Sequence, residues 1–251
     1  MFKLGNTEFK VKSAKLKAIF YDAQHNKNDK LYIGEKSSIR WHFDIYMEDG
    51  ELPPYLNENS IDKENINDED ELCYSECTSP RLYTNNGIEI NNIENNDWRK
   101  LEGLVIEIND PQRPNYKNEA WCLYAFEHEK ITSGKIEILS RNENSFHIRW
   151  TGKAHVGFAD EPEEGVPFIF DGDVIYEGLR TSCEGIMNIK KLKPELSKFV
   201  NIEDYFLVSE EKLKNKYINI YMCEFKPIEL SNKNLEHDNK KKKSLFSRIL
   251  K

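Results

Sequence analysis

Three histidines lie on strands that the sequence predicts, and histidine is the side chain best suited to acid–base or metal chemistry near neutral pH. In each strand the histidine alternates with apolar residues, so His42, His147 and His155 would point away from the core. If the strands pair suitably, these three could share a polar face with Asp44 and serve a metal ion or an acid–base pair. The alternative is three separate surface histidines on the solvent side of the sheet, which their polar neighbours favour.

The cysteines offer less chemistry. The chain has five of them, an odd number. Its first residues lack the apolar run of a secretion signal, so we expect reduced thiols and a cytoplasmic location. The one close pair, Cys73 and Cys77, has no matching second pair, whereas a structural zinc site needs four closed ligands. We therefore expect no metal and no cofactor.

The common catalytic signatures are absent from the sequence. It contains no phosphate-binding glycine loop, no Gly-x-Ser-x-Gly elbow and no His-Glu-x-x-His pair. His128 and Glu129 are followed by Lys130, Ile131 and Thr132, so the second histidine of a zinc protease is missing. No serine or cysteine has an evident base beside it, and we assign no catalytic residue.

The acidic residues are the most prominent functional feature. The net charge is -8, and the segment Asn57–Cys77 alone holds eight acids and one lysine. A second acidic loop follows at Ala159–Gly165. Two acidic loops favour a basic partner and disfavour nucleic acid, whose phosphates the chain would repel. The predicted partner-binding residues are Asp68, Glu69, Asp70, Glu71, Asp160, Glu161, Glu163 and Glu164.

Alternation with period two predicts the elements that position these loops. Between Ser38 and Met47, five apolar residues alternate with polar ones, which is typical of a half-buried strand. Further strands are predicted around Leu16–Phe20, Leu104–Ile108, Trp121–Phe126, Ile136–Ile138, Phe146–Trp150, Val166–Phe170, Val174–Tyr176 and Tyr217–Phe225. A hairpin loop at Ser140–Asn144 and a hairpin turn at Asp171-Gly172 are predicted between neighbouring strands, and Gly152 predicts a bulge or bend after Trp150. The predicted fold is mainly β, an antiparallel sandwich or open barrel, with α+β as the alternative.

The C-terminal quarter carries the only helical signals. At most two short helices are expected near residues 194–216, one of them beginning at Ser209, where a cap residue precedes two acids. The predicted organisation is an N-terminal hairpin region at 1–52, an acidic loop at 53–96, a β-rich block at 97–230 and a tail at 231–251. Residues 1–230 are expected to form one compact unit. The tail is basic and amphipathic, and could weakly touch a membrane or a partner.

These observations lead to three candidate functions. The first is a non-catalytic cytoplasmic binding protein of the bacterial immunity type, which captures a basic toxin through its acidic loops. The second is a metal-assisted hydrolase that uses a histidine-lined face. The third is a structural or assembly component that docks through its basic tail. The sequence predicts neither the partner's identity nor the oligomeric state.

Overall fold

The structure is a computed structural model of the 251-residue chain. It describes residues 1–22, 36–52, 75–85, 87–91, 93–108, 121–125, 128–156, 163–184, 188–214 and 219–229. The described residues form fourteen strands: β1 Phe2–Leu4, β2 Thr7–Phe9, β3 Val11–Tyr21, β4 Ser38–Met47, β5 Gly50–Leu52, β6 Ser75–Cys77, β7 Arg81–Tyr83, β8 Val105–Ile108, β9 Cys122–Tyr124, β10 His128–Asn142, β11 Ser145–Ala154, β12 Val166–Glu184, β13 Tyr205–Lys214 and β14 Asn219–Pro227. They also form one α-helix, α1, at Ile189–Leu196, and three short 3₁₀ turns at Glu94–Asn96, Trp98–Lys100 and Ile202–Asp204.

Twelve of these strands belong to one antiparallel sheet, and β5 and β6 form a separate pair. The sheet order is β11-β10-β9-β7-β4-β3-β12-β1-β2, with β8 beside β10, β14 beside β12 and β13 beside β14. The long strand β12 pairs with β1 and β11 along its first half and with β14 along its second half. The prediction of a mainly β fold with little helix is confirmed.

The described residues fall into two compact units. The first unit comprises Met1–Lys17, Arg40–Asn91 and Trp98–Tyr176, and the second comprises Ala18–Ile39, Asn92–Asp97 and Glu177–Lys251. Each unit has a core of its own.

Large aromatic side chains form the core of the first unit. Trp150 of β11 lies 5.2 Å from Trp121 and 6.2 Å from Phe43 of β4, between ring centroids. Trp98 stacks on Tyr176 at 5.0 Å. Since β10, β9 and β7 separate β11 from β4 in the pairing order, the contact between Trp150 and Phe43 requires the sheet of this unit to curl. A curled single sheet corresponds to the open-barrel alternative and not to two facing sheets.

The second unit packs α1 and the chain that follows it onto its strands. Leu192 and Leu196 are the buried positions of α1, and both are fully inaccessible to solvent. Asn188 caps the helix by accepting a hydrogen bond from the backbone N–H of Lys191. Beyond the helix, Phe199 contacts Phe20 at a ring-centroid distance of 5.3 Å. The helix thus covers a small core of its own with one apolar face.

Two predictions made at glycine residues differ from the structure, because β11 and β12 pair continuously through both positions. The predicted turn at Asp171-Gly172 does not exist, because β12 continues through both residues and pairs them with Arg149 and Ile148 of β11. The bulge or bend predicted at Gly152 does not lie in β11, whose pairing with β12 stays in register there; the register shift beside it belongs to the facing strand β10, between Ile131 and Ser133. A Cβ at Gly152 would lie 2.4 Å from the Ser133 carbonyl oxygen and 2.7 Å from the Phe168 ring. This glycine permits close packing instead of bending the strand.

The predicted helix at Ser209 is wrong as well, because this segment is strand β13. Its apolar start, Phe206-Leu207-Val208, has the residue types of a strand. Pairing with β14 over the full length of β13 outweighs the local cap signal. The helix that does form, α1, begins earlier and contains Pro194.

Candidate partner-binding surfaces

Two of the eight predicted partner-binding residues lie in the described part of the chain. Glu163 and Glu164 occupy a turn that leads from the β11 side into β12, and both are exposed. Gly165 follows with a φ of +89°, and a Cβ there would lie 2.8 Å from the backbone of Ala154. The turn is therefore specific for glycine. Asp68, Glu69, Asp70, Glu71, Asp160 and Glu161 lie outside the described residues.

The carboxylate of Glu164 is paired within its own unit. It accepts a hydrogen bond from the Nζ of Lys153, and this bond together with the lysine's charge lowers the pKa of Glu164. The hydroxyl of Thr132 donates to the Glu164 backbone carbonyl at 2.8 Å. Lys153 thus offsets the charge of Glu164.

The structure surrounds His147 with two carboxylates. Its Nδ1 lies 2.8 Å from Asp173 Oδ1, and its Nε2 lies 3.0 Å from Asp171 Oδ1. Arg149 donates from Nε to the other oxygen of Asp171, which lowers the pKa of that carboxyl group. Both imidazole nitrogens thus face acids, and neither is available to activate a serine or cysteine in this arrangement.

His42 has different surroundings. Its pKa is lowered to about 4, first by burial, and a hydrogen bond with the backbone of Thr84 opposes this shift. Gly87 packs so closely against the imidazole that a Cβ there would lie 2.4 Å from Nε2. His155 lies just beyond the end of β11. In the described ranges, no group of three or more His, Cys, Asp or Glu side chains is arranged to hold a metal ion.

The four described cysteines, Cys77, Cys122, Cys183 and Cys223, are buried free thiols. Burial, and secondarily the charge of Asp22, raises the pKa of Cys183 to about 12. Burial also raises the pKa of Cys223. A nucleophilic cysteine needs a lowered pKa and access to solvent, so these thiols are core residues.

A surface that the sequence did not predict lies on β13, in the second unit. Phe206, Leu207 and Val208 are 36%, 38% and 46% exposed, and Leu213 is 42% exposed. Adjacent residues point to opposite faces of a strand, so both faces of β13 present apolar side chains. The strand also carries two exposed acids, Glu210 and Glu211. The apolar run Phe206-Leu207-Val208 was a signal for a strand in the sequence. The residues Ser209-Glu210-Glu211, which resemble the start of a helix, outweighed that signal in the prediction.

One edge of β13 is unoccupied by any described strand, because its partner among the described residues is β14 alone. The pairing with β14 shifts register between Leu207 and Ser209. Beyond the shift, the hydroxyl of Tyr221 donates to the carboxylate of Glu210, and Lys212 lies over the Tyr221 ring. An edge strand offers backbone N–H and C=O groups that another chain can pair with.

A polar cavity lies directly before β13 in the same unit. Its volume is about 320 Å³, and it is lined by Asn95, Ser197, Val200, Asn201, Ile202 and Glu203. Val200 and Ile202 are buried, whereas Glu203 is exposed. The side of the cavity formed by Asn95 has two consecutive residues in the left-handed region, with φ of 53° at Asn95 and 44° at Asn96. The side-chain amide of Asn96 fixes this segment by donating to the Phe199 carbonyl at 3.0 Å.

Comparison with known proteins gives no relative: no family model, curated protein or solved structure matches this chain. None of the helices in the described ranges is long and apolar enough to cross a membrane.

Proposed function

We propose that this protein is a non-catalytic binding protein that captures a basic protein partner, in the manner of a bacterial immunity protein that inhibits a toxin. The observation that carries the proposal is the surface of β13, where four exposed apolar side chains lie beside the exposed acids Glu210 and Glu211. Interfaces join apolar anchors to charges that complement the partner. The exposed Glu163 and the acids of the Asp68–Glu71 loop would add to the attraction.

The charge balance supports a basic partner. The chain has a net charge of -8, and clustered carboxylates draw an oppositely charged protein toward the surface before contact. Such steering acts on the association rate and weakens as salt is added, because exposed charges are screened beyond about 10 Å at 0.1 M ionic strength. Replacing acids of the binding surface is therefore expected to lower the association rate constant, most clearly at low salt.

The chemistry of the described residues supports binding over catalysis. Both nitrogens of His147 face carboxylates, and the pKa of His42 lies near 4, so neither is suited to act as a general base on a substrate. The described thiols are buried. The exposed polar and apolar groups, in contrast, are of the kinds that protein interfaces use.

The test is affinity capture from the native organism, followed by association kinetics at low and high salt. Replacing Asp68, Glu69, Asp70 and Glu71 by Asn and Gln should slow association by roughly tenfold or more without unfolding the protein. The double variant E163Q/E164Q should slow it less, since Lys153 already offsets one of its charges.

The control E8Q/E102Q removes two exposed acids and changes the net charge as E163Q/E164Q does. It should leave association nearly unchanged. A partner whose association is indifferent to salt and to all of these acids would contradict the proposal. Loss of a measured turnover on replacing His147 would instead indicate an enzyme.

A further inference from the structure

We infer that the second unit binds an extended basic segment of the partner, with its backbone along the edge of β13 that no described strand occupies and a lysine or arginine side chain in the cavity at Glu203. This inference rests on the proposed function and adds to it a site and a binding mode. The cavity and the strand adjoin along the chain, because the lining residue Glu203 lies two positions before Tyr205, where β13 begins.

The groups that line the cavity suit a cation with an apolar stem. Glu203 supplies a carboxylate, and Asn95 and Asn201 supply amide oxygens. The hydroxyl of Ser197 already donates its proton to the Lys193 carbonyl at 2.8 Å, so its oxygen is left to accept a hydrogen bond. Val200 and Ile202 give an apolar lining for the methylene groups of a long side chain.

The lysine that follows the lining residue Ser197 in the chain does not cancel this preference. Lys198 lies next to Ser197 in the chain, but its Nζ is 2.6 Å from the carboxylate of Glu195. That contact occupies the lysine's charge with an acid that does not line the cavity. Glu203 therefore remains the charged side chain of the lining, and the lining as a whole attracts a positive group.

The edge of β13 suits the backbone of the same segment. An added strand gains its affinity from main-chain hydrogen bonds and its specificity from alternate side chains. Apolar side chains of the segment would pack beside Phe206, Leu207 and Val208, which solvent reaches in the absence of a partner. Basic side chains of the segment would lie near Glu210 and Glu211, which selects against an acidic segment.

The order of the residues sets the spacing of the segment. Phe206 and Val208 follow Glu203 by three and five residues. Glu203 lies in the 3₁₀ turn Ile202–Asp204, and the chain is extended from Tyr205 onward, where a strand advances about 3.3 Å per residue. We therefore place the lysine or arginine three to five positions from a valine-like residue in the bound segment.

The test uses the full chain and a synthetic peptide, Arg-Thr-Thr-Val-Thr-Val-Thr, together with the same composition in reverse order. The control peptide has glutamine in place of arginine. We expect one of the two arginine peptides to bind and to protect backbone amides of β13 from hydrogen exchange. E203Q should weaken that peptide about tenfold and leave the binding of the glutamine peptide unchanged.

Two matched variants separate the site from general charge attraction. V208K should weaken the binding of the arginine peptide and of the glutamine peptide at least tenfold. I175K, at a similarly exposed apolar position of the first unit, should have no effect. E163Q removes an exposed acid of the first unit and should also have no effect on peptide binding. Thermal unfolding of each variant confirms that it is folded, and E203Q and V208K both change exposed side chains.

Three outcomes would overturn the inference: neither arginine peptide binds, the bound peptide protects no amide of β13, or E203Q and E163Q weaken binding equally.

Experiments on the captured partner distinguish an error in this site from an error in the proposed function. If a captured basic partner depends on the acidic loops but not on Glu203 or Val208, this site is wrong, and the proposed function then rests on the acidic loops alone. If the partner depends on none of these residues, both are wrong.

Discussion

Gly178 of β12 provides a sharp test of how the second unit is built. Its φ is +119°, and a Cβ there would lie 2.1 Å from the carbonyl oxygen of Phe225 in β14. The contact is with backbone atoms, which cannot move aside as the end of a flexible side chain can. We therefore predict that G178A destabilises the protein by pushing β14 away from β12.

The cost has two parts. A side-chain-bearing residue held at such a φ costs about 1–3 kcal/mol. Overpacking against a fixed neighbour adds about 1–3 kcal/mol. Alanine also lowers the conformational entropy of the unfolded chain, which stabilises the folded protein by at most about 1 kcal/mol. We expect a net loss of about 1–6 kcal/mol, which for a chain of this size lowers the melting temperature by at least about 2 °C.

Gly172 is the matched control, since it lies on the same strand and gains the same methyl group. A Cβ at Gly172 would have its nearest contact at 3.3 Å, with the ring of Phe170, and the position has no left-handed backbone. G172A should cost less than about 1 kcal/mol. The assay is urea unfolding followed by far-ultraviolet circular dichroism, with amide exchange of β14 as a local probe. If G178A and G172A differ by less than about 0.5 kcal/mol, the close approach of β12 and β14 is wrong.

Three further predictions concern the titration of His42, the reactivity of Cys183 and a part-buried ion pair between Arg81 and Asp44. The imidazole of His42 has a pKa near 4 in the folded protein and 6.5 in the unfolded chain, so the unfolded chain binds more protons between these pH values. The free energy of unfolding should therefore fall by up to about 3 kcal/mol as the pH drops from 6.5 to 4. Acid unfolding of the wild type and of H42Q measures this, and the fall should be smaller in H42Q. Cys183, with a pKa raised to about 12, should react with iodoacetamide at pH 8 only after unfolding, and rapid alkylation of the native protein in a mass spectrum would contradict its burial. Arg81 donates to both oxygens of Asp44 at 2.5 and 2.7 Å, so D44N should cost about 1–3 kcal/mol, whereas no change in urea unfolding would show that the pair contributes nothing.

The sequence predicted those parts of the fold that local alternation determines. Strand β4 has the predicted bounds, Ser38 and Met47, because five buried side chains fix its register on one face. Asp171-Gly172 was wrongly predicted as a turn, since local turn propensity says nothing of the ten-residue pairing of β11 with β12. Strand β13 was missed for a similar reason, because it is stabilised by a partner strand that follows it in the chain.

The candidate site was predictable only in part. Exposed acids at Glu163 and Glu164 follow from composition. The pairing of Glu164 with Lys153 does not, because it depends on how the ends of β11 and β12 lie side by side. The cavity joins Asn95 to residues around Asn201, and no local pattern connects positions so distant in sequence. Charge can be counted from a sequence, whereas its neutralisation requires the tertiary contacts.

The aromatic core of the first unit has a spectroscopic consequence. All four tryptophans, Trp41, Trp98, Trp121 and Trp150, belong to that unit, and none is more than 2% exposed. Their fluorescence should be blue-shifted and poorly quenched by iodide in the native protein, because water and ions do not reach the indoles. The second unit contains tyrosines but no tryptophan, so its unfolding should leave this emission largely unchanged. Emission wavelength and total β-sheet dichroism, recorded on one sample, would therefore report whether the two units melt together or one at a time.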